Sequence, residues 1–382
     1  MRWLNVIAVA AASVAIPMAA GAQGTLSTQG FGYPPGQLSA RALATGGGLA
    51  EFDTDTPLNP AAIALTGDPR LYLQYEPEFR KLSNGNLTSA TTTSRFPVIS
   101  ALVPAGSHVT LGASVSTFLD RSSSTKTVRT LDVAGVAATF TETNRILGAI
   151  NDVRLAVGWT PSAKFQLGLG GHVYTGQNKD FFSQTFPDTL KFSSVSQVST
   201  VSYTGYGVSG GVIFRPSRVL GIALSGRKGA TISSHAGDTL LSSANVPDRV
   251  AAGISYEGIP GSSISAHLAH DQWSTLNSLS ASGLAATNAW DGGLGVEAIG
   301  PRIAERQTIL RLGARYRTLP FEASGGKVKE LSFAGGFGTQ FLRDRAAFDL
   351  TLERSMRSAD ASALSAVRER AFTLSFGLRV RP

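Results

Sequence analysis

From about residue 69 to its C-terminus the chain repeats one pattern. Segments of roughly 10 to 14 residues alternate apolar and polar side chains, and clusters of Gly, Pro and Ser separate them. A period of two places successive side chains on opposite faces of a strand, so each segment has one apolar and one polar face. The C-terminal segment is the clearest, with Phe372, Leu374, Phe376, Leu378 and Val380 on one face and Thr373, Ser375, Gly377, Arg379 and Arg381 on the other. Segments 165–174, 219–227, 310–317 and 348–353 repeat it.

Alternation alone also fits a soluble sandwich, and three further features separate the two. The polar faces carry Gly and Ser as well as charges, as a barrel lumen does. The segments exceed the five or six residues of an ordinary strand and match tilted membrane strands of about 9–11 residues. The connections alternate between short turns and long excursions. The short turns lie at 104–106, 160–163, 215–217, 259–261, 300–306 and 343–344, and the long ones near 82–93, 121–150, 178–196, 228–246, 275–285, 320–327 and 357–365. Outer-membrane barrels have short periplasmic turns and long outer loops. Six short and seven long connections join fourteen strands, with both chain ends on the periplasmic side. Leu131 to Phe140 also alternates, but a single extra strand would break the even count. We assign all of 121–150 to one long outer loop, with sixteen strands as the alternative. Trp159, Phe214, Tyr256 and Trp290 fall near strand ends, where interfacial aromatic girdles form.

Residues 1–22 read as a secretory signal peptide, with Arg2, an apolar run from Val6 to Ala19, and Ala20-Gly21-Ala22 as the cleavage pattern. No later stretch is long and apolar enough for a membrane helix. The absence of Cys excludes disulfides, zinc–thiolate sites and a thiol nucleophile. The net charge is +8, but the basic residues form no long run. They suit lipid phosphates, lipopolysaccharide or an anionic solute, and no nucleic-acid partner is expected.

Residues 23–66 lack strand periodicity. They contain Ser39-Ala40-Arg41-Ala42-Leu43-Ala44-Thr45-Gly46-Gly47-Gly48, then Asp53 and Asp55, then Asn59-Pro60-Ala61 just before the first strand. This segment resembles that of the FadL family of outer-membrane transporters and their PorV-type relatives. The resemblance implies an all-β fold: a transmembrane antiparallel barrel of about fourteen strands (67–382) with an N-terminal hatch (23–66) plugging its lumen. It implies transport of long-chain fatty acids or other hydrophobic compounds, insertion by the barrel-assembly machinery and no cofactor. Asn59, Pro60 and Ala61 would anchor the hatch, Gly46, Gly47 and Gly48 would let it turn, and Asp53 and Asp55 complete the motif. A PorV-like interaction barrel and a general porin are the alternatives.

On the polar faces, Arg154, Arg227, Arg249, Arg311, Arg315 and Arg317 accompany Glu257, Asp349 and Glu353. Arg311, Arg315 and Arg317 share one strand face and, with Arg227, are the candidates to hold an anionic head group; mutual Arg–Glu pairing is the alternative. Phe181, Phe182, Phe186 and Phe192 in the 178–196 excursion form a candidate entry loop. His267 and His270 lie three apart, on opposite strand faces, and cannot share a metal without a bulge. No Ser–His–acid set is identifiable, and no enzymatic activity is expected.

Overall fold

The computed structural model describes residues 31–382 except 85–86, 134–135, 188–191, 280–285, 304, 323–325 and 360–367. The signal-peptide reading lies outside the described residues. One continuous antiparallel sheet contains every strand and closes on itself. It has fourteen wall strands, and we number them in chain order. They are β1 (Arg70–Asn84), β2 (Leu87–Arg95 and Val98–Pro104), β3 (Val109–Asp120 and Ser123–Val133) and β4 (Val136–Ser162). Then come β5 (Phe165–Thr185), β6 (Val195–Phe214), β7 (Leu220–Ala236) and β8 (Thr239–Asn245 and Arg249–Ile259). The circuit ends with β9 (Ser262–Asp271), β10 (Ala289–Ile303), β11 (Arg306–Thr318), β12 (Val328–Phe341), β13 (Ala346–Ala359) and β14 (Arg368–Val380).

The two pieces of β2 pair with the same neighbour, β1, on either side of Phe96-Pro97. Likewise both pieces of β3 pair with β4, and both pieces of β8 with β7. Pro97 and Pro247 sit at two of these interruptions, where the missing N–H breaks the ladder. Pairing of β14 with β1, from Leu71 opposite Val380 to Ser83 opposite Arg368, closes the barrel.

The alternation becomes an inside and an outside. On β1, Tyr72, Gln74, Glu76, Glu78 and Arg80 are buried, while Leu71, Leu73, Tyr75 and Phe79 are exposed. The same split runs round the wall, so the exposed face is a continuous apolar belt including Leu155, Leu169, Val250, Leu294, Leu312 and Phe372. Trp159, Tyr256 and Trp290 stand on this outer face. An exposed belt of this extent is stable only against acyl chains.

The 121–150 assignment needs correction. This stretch is not a loop: Ser123–Val133 and Val136–Ser162 pair from Ser123 opposite Ile146 to Val133 opposite Val136. The alternation of Leu131 to Phe140 was that of real strands, the tip of a hairpin continuing β3 and β4 beyond the wall. The total stays at fourteen, because the added length extends existing strands. Likewise most of 178–196 and 228–246 is strand, up to Thr185, from Val195, up to Ala236 and from Thr239.

Residues 31–66 run inside the barrel. Helix α1 (Ala40–Ala44) is capped by the Ser39 side chain, which accepts from Ala42 N, and a 3₁₀ turn follows at Pro60–Leu65. Glycines in the wall make room for this segment. A Cβ on Gly313 would lie 2.1 Å from Thr45 C, one on Gly293 2.0 Å from Gly46 O, and one on Gly168 2.2 Å from Pro60 C. Backbone therefore lies on backbone, at a distance any wall side chain would prevent.

Gly168→Val should unseat the segment while leaving strand pairing intact. In planar bilayers we expect a higher single-channel conductance than for the unaltered chain, with gel mobility still shifting on heating as a folded barrel's does. Unchanged conductance would mean that the segment tolerates the bulk and that its seat lies elsewhere.

Candidate functional site

The candidate site is the lumen and the chain that fills it. Asn59 caps the 3₁₀ turn: its Oδ1 accepts from Ala61 N at 2.9 Å, and its Nδ2 donates to Glu51 O at 2.9 Å. Pro60 occupies the first position of the turn, where its missing N–H costs nothing. Ala61 is fully buried between this turn and Ile213 and Ala223 of the wall. Gly46 and Gly47 have φ of +58° and +81°, and the turn they make lays Thr45 to Gly48 flat against β10 and β11. Gly48 lies against Ser265 of β9 and Gly295 of β10, where an added Cβ would meet Ser265 O at 2.7 Å.

The two aspartates divide their work. Asp53 is internal to the segment: it accepts from Thr56 Oγ1 at 2.9 Å and from Ser39 Oγ, and Arg41 Nη1 lies 3.6 Å from it. Asp55 reaches the wall and accepts from Arg379 of β14. Arg41 also reaches the wall, donating to both oxygens of Glu297 on β10 at 2.9 and 2.8 Å. A bidentate pair fixes orientation as well as distance.

Arg311, Arg315 and Arg317 all face the lumen, as their alternation requires, but they occupy three separate levels. Arg311 donates at 2.6 Å to Glu297 and to Asp349, and Arg315 at 2.8 and 2.6 Å to Asp291. Arg317 donates to Glu330, to Pro34 O at 2.8 Å and to the Tyr33 hydroxyl. Arg227 lies 3.6 Å from Asp271 and 5.2 Å from the Phe118 ring centre. The trio is thus paired with carboxylates residue by residue.

The densest of these networks surrounds Tyr33. Its hydroxyl donates to Glu330 at 3.2 Å and accepts from Arg357 at 2.8 Å, besides the Arg317 contact. Arg357 also donates to Glu78 at 2.9 Å and to Glu369 at 2.5 Å, and Arg95 to Glu76 at 2.8 Å and Asp120 at 3.2 Å. Arg80, Arg95, Arg317 and Arg357 stand 4.6–5.4 Å from the Tyr33 ring centre, within cation–π range. Burial pushes the Tyr33 phenol up to about 12, so it remains a donor at any ordinary pH. Backbone bonds between Tyr33 and Asp120, at 2.7 and 2.8 Å, tie this point to β3 where that strand is interrupted.

Beside this charged zone, toward the long hairpins, lies a closely packed apolar cluster that sequence patterning did not identify. Phe31, Phe118, Leu119, Ile150, Tyr174 and Tyr203 pack there with Ile232, Trp273, Leu276 and Phe321. Phe118 stacks on Trp273 at 5.2 Å and meets Tyr174 edge-on at 4.9 Å. Trp273 and Phe321 come from excursions after β9 and β11, so two loops fold inward to complete it. Their contribution is a long-range contact with no local periodicity.

The entry-loop phenylalanines divide. Phe181 and Phe182 are successive residues within β5 and point to opposite faces. Phe186 stacks on Phe192 at 5.2 Å and meets Phe140 of the long hairpin at 5.3 Å. His267 is buried and His270 packs on Trp290 at 4.7 Å, on opposite faces as expected. Among the described residues no cluster of three potential metal ligands occurs.

Glu330→Ala would leave the buried Arg317 without its carboxylate and Arg357 with only Glu78 and Glu369, at a cost of about 3–5 kcal/mol. Tyr33→Phe keeps the ring under the guanidinium groups and loses only the hydroxyl bonds, at about 1–3 kcal/mol. Chemical unfolding in detergent should rank the two in that order. Equal midpoints for both variants and the parent would mean that the network carries no net stability.

No protein-family model matches the sequence, and no curated protein matches it in sequence. Solved structures match its fold. A FadL homologue from Pseudomonas aeruginosa superposes with a TM-score of 0.61 at 12% identity, covering 92% of this chain and 99% of that one. The toluene transporter TodX from Pseudomonas putida gives 0.59 at 12% identity over 90% and 98%, and the CymD monoaromatic hydrocarbon channel 0.55 at 13% over 94% and 99%. The chain is therefore a fourteen-stranded transmembrane β-barrel of the FadL type in fold, with its N-terminal segment inside the lumen.

Proposed function

We propose that the protein is an outer-membrane channel for hydrophobic compounds, with residues 23–66 acting as the hatch. The observation that carries this reading is the pairing of a filled lumen with a packed aromatic cluster beside it. Fourteen strands enclose a lumen wider than wall side chains alone can fill. Segment 31–66 occupies it, held by exchangeable polar contacts: Asp55 to Arg379, Arg41 to Glu297 and Tyr33 to its Arg–Glu network. A general porin needs an open lumen, and this one is occupied. The fold likeness to TodX and CymD, described as a toluene transporter and a monoaromatic hydrocarbon channel, supports the reading. Nothing in these likenesses points to a PorV-type interaction barrel.

The aromatic cluster supports small aromatic compounds as the substrate class. Phe118, Tyr174, Trp273 and Phe321 pack face and edge against one another, the arrangement into which a flat or compact apolar molecule would insert. The Phe140–Phe186–Phe192 group stands on the long hairpins as a first contact for such a solute. Long-chain fatty acids fit less specifically than small aromatic compounds, because Arg311, Arg315 and Arg317 are already paired with carboxylates.

Trp273 supplies the test. It is buried in the aromatic cluster, whereas Trp159 and Trp290 face lipid. Titration of the purified protein with a brominated monoaromatic compound should quench a component of the fluorescence that Trp273→Phe removes. Phe118→Ala should weaken binding by about tenfold, the scale of one lost ring contact of about 0.5–1.5 kcal/mol. Organic extracts of the detergent-washed barrel, read by mass spectrometry, should contain an apolar compound. Clean extracts with quenching confined to Trp159 and Trp290 would refute the channel reading.

A further inference from the structure

Three wall strands bring an acid, an imidazole and a hydroxyl into line on the lumen face. Asp152 stands on β4, His172 on β5 and Ser209 on β6, each stepped diagonally from the last. Asp152 Oδ1 lies 2.8 Å from His172 Nδ1, and His172 Nε2 lies 2.8 Å from Ser209 Oγ. The carboxylate holds the imidazole proton on Nδ1, which leaves Nε2 to accept from the serine hydroxyl. All three side chains are buried, and Tyr174 stacks on the imidazole with ring centres 6.0 Å apart and planes 7° from parallel. The Asp152 carboxylate is braced by Gln37 of the hatch, whose Nε2 donates to Oδ2 at 3.1 Å and to Ser116 Oγ at 2.7 Å.

A further polar group borders this set. Arg154, on β4 next to Asp152 on the same face, is buried, and its Nε and Nη1 have no hydrogen-bond partner. Those donors are free to meet an oxyanion. Gly170 packs directly against both groups: a Cβ there would fall 2.7 Å from Ser209 Oγ and 3.5 Å from Arg154 Cδ. Any other residue at 170 would displace the serine hydroxyl.

We propose that Ser209, His172 and Asp152 form a hydrolytic site for small apolar carboxylic esters, with Arg154 as the oxyanion donor. Ser209 Oγ attacks the ester carbonyl carbon while its proton passes to His172 Nε2. Arg154 stabilises the tetrahedral oxyanion, which collapses, and the departing alkoxide takes the proton from His172 and leaves as the alcohol. Water, deprotonated by His172, then attacks the acyl–Ser209 ester. Collapse of this second tetrahedral intermediate releases the carboxylic acid and returns the proton to Ser209. The balance is ester plus water giving acid plus alcohol. Asp152 is a positioning residue that fixes the imidazole tautomer and stabilises the imidazolium. The aromatic cluster includes Tyr174 and so adjoins the site, giving it the apolar surroundings that such a substrate requires. The hatch contact through Gln37 couples the geometry of the acid to hatch position.

The test uses the full-length barrel in detergent with an ethyl fluorophosphonate probe, followed by peptide mass spectrometry, and with 4-nitrophenyl butyrate as substrate. We expect a phosphonyl adduct on Ser209 and ester turnover, both lost in Ser209→Ala and His172→Ala. Gly170→Ala should abolish turnover by displacing the Ser209 hydroxyl. Asp152→Asn should slow labelling by about 10³–10⁴-fold and displace its pH profile, which a merely structural carboxylate would not do. Gln37→Ala frees the acid from the hatch and serves as a second labelling target if the closed lumen excludes the probe. Absence of a Ser209 adduct in both the parent and Gln37→Ala, with turnover no higher than in Ser209→Ala, would overturn the proposal and leave the three residues as a structural hydrogen-bond network.

Discussion

Every feature of this protein follows from the requirement that backbone N–H and C=O groups be paired before they meet lipid. No water is available in a bilayer core to satisfy them, so a sheet there can have no edge. Pairing of β14 with β1 meets that condition. Closure then forces the period-two pattern to separate two solvents, acyl chains outside and the lumen inside. The exposed Leu and Val residues that would be a liability on a soluble protein are here the stabilising face. Where the ladder is interrupted, at Phe96-Pro97 and at Val246-Pro247-Asp248, both pieces keep the same neighbour and the sheet remains closed.

Closure creates a second problem, a lumen too wide for side chains to fill. The answer is a piece of chain with its own unpaired polar groups, and the wall accommodates it by subtraction and by charge. Gly168, Gly293 and Gly313 remove side chains so that the wall backbone receives the segment directly. Glu297, Arg379 and the Tyr33 network then fix it at successive levels. Contacts of this kind depend on dielectric and geometry. They are strong in a dry lumen and become weak once water enters. A segment held mainly by apolar packing would lack that sensitivity.

The sequence made the wall legible because lipid imposes the alternation on every strand without exception. Turn chemistry gave the six short connections, and together with seven long ones, one of them assigned on the premise of an even count, they make fourteen strands. It failed on 121–150 because a strand continuing past the membrane keeps its alternation but leaves the lipid that gives it meaning. The lumen was less legible. That Arg311, Arg315 and Arg317 face inward is a local property, but their partners Asp349, Asp291 and Glu330 sit on other strands, as does the Glu297 that Arg311 shares with Arg41. The aromatic cluster and the Asp152–His172–Ser209 alignment were invisible for the same reason. Each is a diagonal or loop-borne contact set by strand register. Register is a relation between segments that no single segment records.

Register also explains why chemistry could arise on a wall built for closure. Neighbouring antiparallel strands bring directly opposed residues to one face, and a two-residue step along the strand stays on that face. Asp152, His172 and Ser209 are related by two such steps, so a chain that places polar residues on every lumen-facing position samples such alignments repeatedly. Most are neutralised by pairing, as with Arg315 and Asp291. The alignment at Ser209 differs in joining an acid, an imidazole and a hydroxyl in one chain of hydrogen bonds. The wall supplies that alignment through its register, and the segment that fills the lumen, through Gln37, braces its acid.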